Sequence, residues 1–359
     1  MKYLDEYRDS ELVRKLAEAI RRKSKSNLRI MEVCGGHTMA IHKFGIQHLL
    51  PATIELLSGP GCPVCVTGRS AIDKAIALAK EPGVIITTYG DLIRVPGSYS
   101  SLNQEKARGA DIRIVYSTLD ALEIAKANRS RKVIFLGIGF ETTTPSSAVA
   151  ILEASNQQVQ NFCLFSMHKL MPPAMIALIE QGINIGGYIG PGHVTAVAGA
   201  AMYKPLTDLY PVSVVVSGFE PVDLLQSIYM LVSMHEENRY GIEIQYKRAV
   251  MPEGNPKAQN LVSRVFRPCD DTWRGLGLIK NSGLAIREEY RDFDANVQFS
   301  VTARSLPEPK GCMCGEVLRG LKKPSQCTLF GKVCTPLNPI GACMVSGEGA
   351  CQAYYNYGC

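Results

Sequence analysis

The feature that most limits what this chain can become is a rhythm of short apolar runs. Leu28–Val33, Thr53–Leu57, Val84–Thr88, Ile112–Tyr116, Val133–Ile138, Phe162–Phe165, Ile183–Ile189 and Val212–Val216 are each stopped by glycines or polar residues, and a helical pattern follows each one. Strands that alternate with helices imply a mostly parallel sheet, because parallel neighbours need a crossover and the crossover helix lies on the sheet. In such sheets the loops at the carboxyl ends of the strands hold the ligands.

Three pairs of segments echo one another. MEVCGGHTMAI resembles LGIGFETTTPSSA, LLSGPGCPVCVTG resembles GYIGPGHVTAVAG, and TTYGDLIRVPG loosely resembles VVSGFEPVDLL. Their common order predicts two similar Rossmann-like α/β domains, residues 27–130 and 131–245, with one additional strand–helix unit near 161–181 in the second. Residues 1–26 contain an amphipathic helix over 10–23, in which Leu12, Leu16, Ala19 and Ile20 share a face opposite basic residues. After Tyr246 the periodicity fades, so 246–359 is expected to be an irregular third domain, with the single tryptophan, Trp273, as a core anchor.

A composition of 46% hydrophobic and 20% charged residues excludes a disordered or fibrous chain. The net charge of +6 is too small and dispersed to imply nucleic acid. The uncharged stretch 181–203 is long enough to span a bilayer, but its glycines, asparagine and proline favour a buried strand, a glycine turn and a small-residue helix. No membrane segment is expected. The opening MKYLDEYRDSELVRKLAEAI fits no signal peptide, so a cytoplasmic location with reduced thiols is the expectation.

Those thiols are unevenly placed. Of 12 cysteines, five lie in the first 311 residues and seven between Cys312 and Cys359. The loop Cys34–Thr38 reads CGGHT. Its thiol follows a strand, its glycines let backbone N–H groups approach a ligand, and Thr38 can cap the next helix. A helix N-terminus lowers a thiol pKa, so Cys34 can be a nucleophile or a metal ligand, or else a buried cysteine beside a turn. His37 fits an orienting hydrogen-bond partner.

The loop Gly59–Cys65 reads GPGCPVC. Cys62 and Cys65 form a C-x-x-C between strand and helix, the arrangement of dithiol/disulfide chemistry, although zinc and structural uses share it. The loop Gly139–Thr143 reads GFETT and is taken as the counterpart of the first loop. Glu141, Thr142 and Thr143 supply a carboxylate and two hydroxyls there, or the threonines simply cap the following helix.

In the tail, Cys312 or Cys314 with Cys327, Cys334 and Cys351 gives C-x14-C-x6-C-x16-C counted from Cys312. Four thiolates on irregular backbone suit a [4Fe–4S] cluster, with four-thiolate zinc as the rival. Cys343 and Cys359 read as spares, and Cys163 and Cys269 as ordinary buried thiols.

Taken together, CGGHT, GPGCPVC, YGDLIRVPGS, GFETT and the tail from CTP to CQAYY resemble the HypD family of hydrogenase maturation proteins along nearly the whole chain. The resemblance implies an accessory scaffold, with thiol/disulfide redox activity, on which the iron centre of [NiFe]-hydrogenase receives two cyanides and one carbon monoxide. It implies a small HypC-type chaperone as partner and cyanide from a HypE/HypF pair. Carried over by motif, Cys34 ligates the transient iron, and His37 and Thr38 shape its pocket. Cys62 and Cys65 form a redox pair, while Glu141, Thr142 and Thr143 face the same cleft. The tail cysteines hold a [4Fe–4S] cluster in a setting likened to ferredoxin–thioredoxin reductase, with Cys312 preferred over Cys314 on spacing. Two other readings compete: an iron–sulfur disulfide reductase acting on a protein substrate, and a zinc-stabilised interaction protein. A redox relay among the three thiol sites requires that Cys65 lie near both Cys34 and the tail.

Overall fold

In the computed structural model, which describes residues 5–358, every apolar run becomes a strand. The strands are β1 (Leu28–Glu32), β2 (Ile54–Ser58), β3 (Val84–Thr88), β4 (Ile112–Ile114), β5 (Lys132–Gly139), β6 (Phe162–His168), β7 (Gly187–Pro191) and β8 (Ser213–Ser217). A ninth, β9 (Gly241–Ile244), carries no continuous apolar run and is half-buried throughout, which is why its pattern was not legible. All nine pair in parallel, in two sheets ordered β2-β1-β7-β8-β9 and β4-β3-β5-β6.

The sheets do not follow the expected division at residue 130. The 27–130 segment contributes β1 and β2 to one sheet and β3 and β4 to the other, and 131–245 is likewise split. The second sheet is instead inserted whole between β2 and β7. The likeness between the two units survives as topology. In each, the first strand has its successor on one side (β2 beside β1, β4 beside β3) and the returning strand on the other (β7 beside β1, β5 beside β3). Each sheet therefore has a switch point, between β1 and β7 and between β3 and β5, where the loops diverge and leave a crevice. The GFETT loop after β5 corresponds to the GPGH loop after β7, not to CGGHT. Short echoes of glycine turns report what happens at strand ends; they carry no information about which strands hydrogen-bond.

Alternation along the strands explains the layering. Met31 and Val33 face a core shared by both sheets, with Ile134, Leu136 and Ile138 from β5, whereas Leu28 and Ile30 face away under helices. Fully burying each such side chain is worth roughly 1.5–3 kcal/mol. The N-terminal helix spans Ser10–Lys23 as expected, is capped by the Asp9 carboxylate, and buries Ala17 and Ile20 against the long helix Pro221–Glu236. The uncharged 181–203 stretch is β7 followed by the helix Gly192–Ala198. Among the described residues no helix is long and apolar enough to cross a membrane.

The third region is less irregular than its sequence implied. It opens with the helix Pro256–Val265 and an antiparallel pair, β10 (Phe266–Trp273) and β11 (Gly277–Ile286). Polar side chains on the exposed positions and a register shift between Cys269 and Asp271 hide the strand pattern. Cys269 is consequently half-buried, whereas Cys163 on β6 is fully buried. Trp273 is a core residue, its indole N–H donating to Ser282 Oγ at 2.9 Å. The cysteine-bearing tail has only short helical turns, of which Cys314–Leu318 and Ala350–Tyr357 are the α-helical ones.

Candidate functional site

The first switch point is built around Cys34. This residue leaves β1 in an extended conformation and stands at the N-cap of the helix Gly35–Lys43, with its side chain almost wholly buried. Burial, followed by the nearby Glu348 charge, pushes its thiol well above the ordinary value, against the opposing pull of the Gly36 and His37 N–H groups. The expectation that the helix N-terminus lowers this pKa is therefore corrected: desolvation outweighs the backbone dipoles. A ligand that displaces the proton, such as a soft metal ion, would remove that obstacle to ionisation.

The neighbours of Cys34 come from four segments. Both ring nitrogens of His193, in the GPGH loop after β7, lie 3.9 Å from its Sγ. The Phe219 ring stacks on His37 at 4.6 Å and packs against His193 at 5.2 Å, so one aromatic side chain holds both imidazoles. His37 donates from Nε2 to the Gly218 carbonyl at 3.0 Å, and burial lowers its pKa to about 3. It is thus a neutral, hydrogen-bonded imidazole beside Cys34.

Thr38 is one turn inside the helix and does not cap it. Its hydroxyl donates to Glu32 Oε1 at 2.6 Å, while Cys34 N–H donates to Glu32 Oε2 at 3.2 Å. Glu32 is 2% exposed, and desolvation raises its pKa to about 8 despite these hydrogen bonds. Sequence reasoning missed Glu32, which lies inside an apolar run, and His193. The latter left a signal: it occupies, after GPG, the position that Cys62 occupies in the other GPG loop.

The C-x-x-C loop is packed directly on this site. A Cβ on Gly61 would overlap the backbone of Cys34, and Gly35 N–H donates to the Gly61 carbonyl at 3.0 Å. Cys62 caps the short helix Pro63–Val66 and is joined to Cys65 as a disulfide with a Cα–Cα distance of 5.2 Å. On its far side Cys65 Sγ lies 4.0 Å from the carbonyl of Ala342, the residue before Cys343. The loop is held there by β10. Thr67 bridges to Trp273, and Arg274 N–H donates to the Val66 carbonyl at 2.7 Å.

The GFETT loop follows β5, at the switch point of the second sheet. Phe140 stacks on Trp273 with ring centres 6.0 Å apart. Glu141 accepts from Met171 N–H at 3.0 Å, whereas its Oε2 is buried without a partner, and burial raises its pKa to about 7. Thr143 stands at the N-cap of the next helix but donates to the Phe140 carbonyl at 3.2 Å rather than capping; Thr142 is half-buried in the same turn.

The tail thiols share a cavity. Cys312, Cys314, Cys327, Cys334, Cys343 and Cys351 line it together with Gly341. A Cβ on Gly341 would come within 2.7 Å of Cys312 Sγ, so the glycine keeps the cradle open. Cys343, read from the sequence as a spare, is fully buried and lines the cavity with the other five. Cys359 lies outside the described residues.

The Cys314 thiol is held below its ordinary value by the hydrogen bond from Cys343 and by the Arg274 cation. Arg274 is 4% exposed, pairs with Glu308 at 2.5 Å, and leaves Nε and Nη2 without partners. Among the described residues no three His, Cys, Asp or Glu side chains form a ready-made cage for one metal ion. Six thiols around a shared cavity, beside a buried cation with spare donors, fit a larger anionic thiolate-bound group.

The sequence matches known proteins over its full extent. The HypD family model, described as the hydrogenase formation hypA family, matches residues 11–358. Hydrogenase maturation factor HypD2 of Bradyrhizobium diazoefficiens is 47% identical over 369 residues, covering 100% of this chain and 97% of its own length. Hydrogenase maturation factor HypD of Escherichia coli is 46% identical, covering 99% and 98%. A putative hydrogenase expression/formation protein of Methanocaldococcus jannaschii is 43% identical, covering 97% and 98%.

Proposed function

Since this chain belongs to the HypD family, a family of hydrogenase maturation proteins, we propose that it is the scaffold on which a cyanide- and carbonyl-bearing iron centre is assembled, with Cys34 as the protein's ligand to that iron. The observation that carries the reading is the contiguity of three thiol sites. Gly61 joins Cys34 to the Cys62–Cys65 disulfide, and Ala342 joins Cys65 to the tail cavity. Backbone contacts thus tie the disulfide loop to Cys34 on one side and to the tail on the other, which supports a redox reading.

The chain's own residues divide the work. Cys34 offers a soft thiolate, which suits iron bearing cyanide. His193 is the second donor within reach of an ion on that sulfur, and Glu32 and Thr38 fix the backbone that presents it. Backbone N–H groups at the start of the helix Gly35–Lys43 favour the anionic cyanides. Cys312, Cys327, Cys334 and Cys351 hold a [4Fe–4S] cluster, with Cys314 and Cys343 beside them; when bound, it supplies single electrons. Glu141, whose burial brings its pKa to about 7, can give or take a proton near neutral pH. The partners are a HypC-type chaperone over Cys34 and a HypE-type cyanide donor. A reductase acting on protein disulfides needs an exposed attacking sulfur, whereas Cys62 is 3% exposed.

Infrared spectra of the anaerobically purified complex test the proposal. Cyanide and carbonyl stretches that vanish in Cys34→Ala, with the tail iron retained, are the expected result. Stretches that survive the substitution would overturn it. Stoichiometric zinc in a colourless protein would instead favour the interaction-protein reading.

A further inference from the structure

A cleft of about 980 Å³ runs along the free edge of the first sheet. β2 is the outermost strand there, and β1 is its only ladder partner. Every residue from Ala52 to Ser58 lines the cleft. A cavity against one face of a strand meets alternate residues, so an unbroken run means that this cleft meets the strand edge-on.

The phase of the β1–β2 ladder shows what that edge offers. Leu28 N–H donates to the Thr53 carbonyl at 2.8 Å, and Gly59 N–H donates to the Glu32 carbonyl at 2.9 Å. With Leu28 opposite Ile54 and Glu32 opposite Ser58, these bonds commit the backbone groups of Glu55 and Leu57 to β1. Those of Ile54, Leu56 and Ser58 point the other way. The Ile54 N–H is taken by the Pro51 carbonyl at 3.0 Å. Among the described residues, the Leu56 and Ser58 N–H groups and the three outward carbonyls have no backbone partner. Sheets ordinarily blunt such an edge with proline, lysine or a bulge. β2 reads IELLS in unbroken register, and its one charge, Glu55, is paired with Arg29 at 2.8 Å.

The charge of the cleft selects the occupant. The tail residues Leu321, Lys322 and Lys323 line it and are exposed. A Cβ on Gly320 would come within 3.1 Å of Leu57 Cβ, so this part of the tail is packed on the strand itself. Neither lysine has a carboxylate partner among the described residues. Glu32 also lines the cleft, but its pKa of about 8 leaves it little negative charge near neutral pH. We propose that the cleft takes an extended acidic peptide segment of a partner protein, which adds to the sheet beside β2. Backbone pairing supplies the affinity, and Lys322 and Lys323 supply the preference for Asp and Glu. Glu32 and Thr38, whose hydrogen bond supports the Cys34 loop, line the same cleft. Docking here is independent of the iron and redox readings.

Hydrogen exchange of the full-length protein, read at single amides, tests the edge. Leu56 and Ser58 should exchange fast, and Leu57 and Gly59 slowly. A displayed library of random ten-residue peptides then supplies the probe. Selected peptides, made synthetically, should be rich in Asp and Glu and should slow exchange at Leu56 and Ser58. Leu56→Pro removes an outward N–H, which an edge strand tolerates, and should weaken their binding at least about tenfold. K322E/K323E, on the exposed tail and away from the ladder, should weaken it at least about tenfold in low salt. That second difference should collapse in about 0.5 M salt, where screening lengths fall to a few ångströms. K204E, on an exposed position of another element, should bind like the parent. The proposal is overturned if Leu56 and Ser58 are already protected in the free protein, or if the library yields no binder. It is equally overturned if the selected peptides protect other amides instead, or if scrambled peptides of the same composition bind as well.

Discussion

Replacing Glu32 by glutamine should flatten the pH dependence of stability by an amount the structure specifies. The glutamine fits without strain. Its oxygen can face Cys34 N–H, and its amide can donate to Thr38 Oγ1, whose hydroxyl then turns to the Cys34 carbonyl 3.3 Å away. In the parent, burial carries the carboxyl from 4.5 to about 8, which corresponds to roughly 5 kcal/mol at about 1.36 kcal/mol per pH unit.

The sign follows from proton counting. Between these two values the folded chain keeps a proton that the unfolded chain has released, so stability is lost as pH rises through the folded pKa. From pH 6 to pH 8 that loss is about 2 kcal/mol. Buried His37, His42 and His168, with pKa values of about 3, 4 and 4, act oppositely, since stability rises as the unfolded histidines deprotonate. They are common to both proteins and cancel in the difference. Urea unfolding of the metal-free protein at pH 6, 7 and 8 is the assay. The parent should lose about 2 kcal/mol more than Glu32→Gln across that span. Parallel curves would show that Glu32 is not held protonated, and the account of the Cys34 environment would fail.

Three further outcomes are expected. Gly61→Ala forces a methyl into the Cys34 backbone and should cost at least about 1–3 kcal/mol in thermal unfolding, while Gly83→Ala, which meets nothing within 4 Å but has φ +74°, should cost only about 1 kcal/mol. Asp223→Ala strips the carboxylate from Arg248, which it holds at 2.6 and 2.7 Å between the rings of Tyr7 and Tyr246. Breaking this pair, whose carboxylate is buried and whose guanidinium is half-buried, should destabilise by about 1–3 kcal/mol, measured by chemical denaturation. Arg274→Met removes the cation beside Cys314 and should raise the titration of that thiol, read from thiolate ultraviolet absorbance in iron-free protein; an unchanged profile would place Arg274 outside the cavity's field.

Local chemistry made much of this protein legible in one dimension. Eight strands, the helix Ser10–Lys23, the core role of Trp273 and the loops that carry Cys34, Cys62, Cys65 and Glu141 all announce themselves through short-range patterns, because strand and helix periods and glycine turns are written within a few residues. The family follows from the same motifs.

What those patterns could not carry was anything that depends on which distant segments meet. The nesting of the second sheet between β2 and β7, the placement of His193 over Cys34, and the seating of Cys343 among the tail thiols are decided by pairing across more than a hundred residues or by packing within an irregular tail. The Cys34 thiol is the sharpest case. Its sequence context promises a lowered pKa, because a helix starts there. Only the tertiary structure shows four segments closing over it, and the desolvation they impose outweighs the helix.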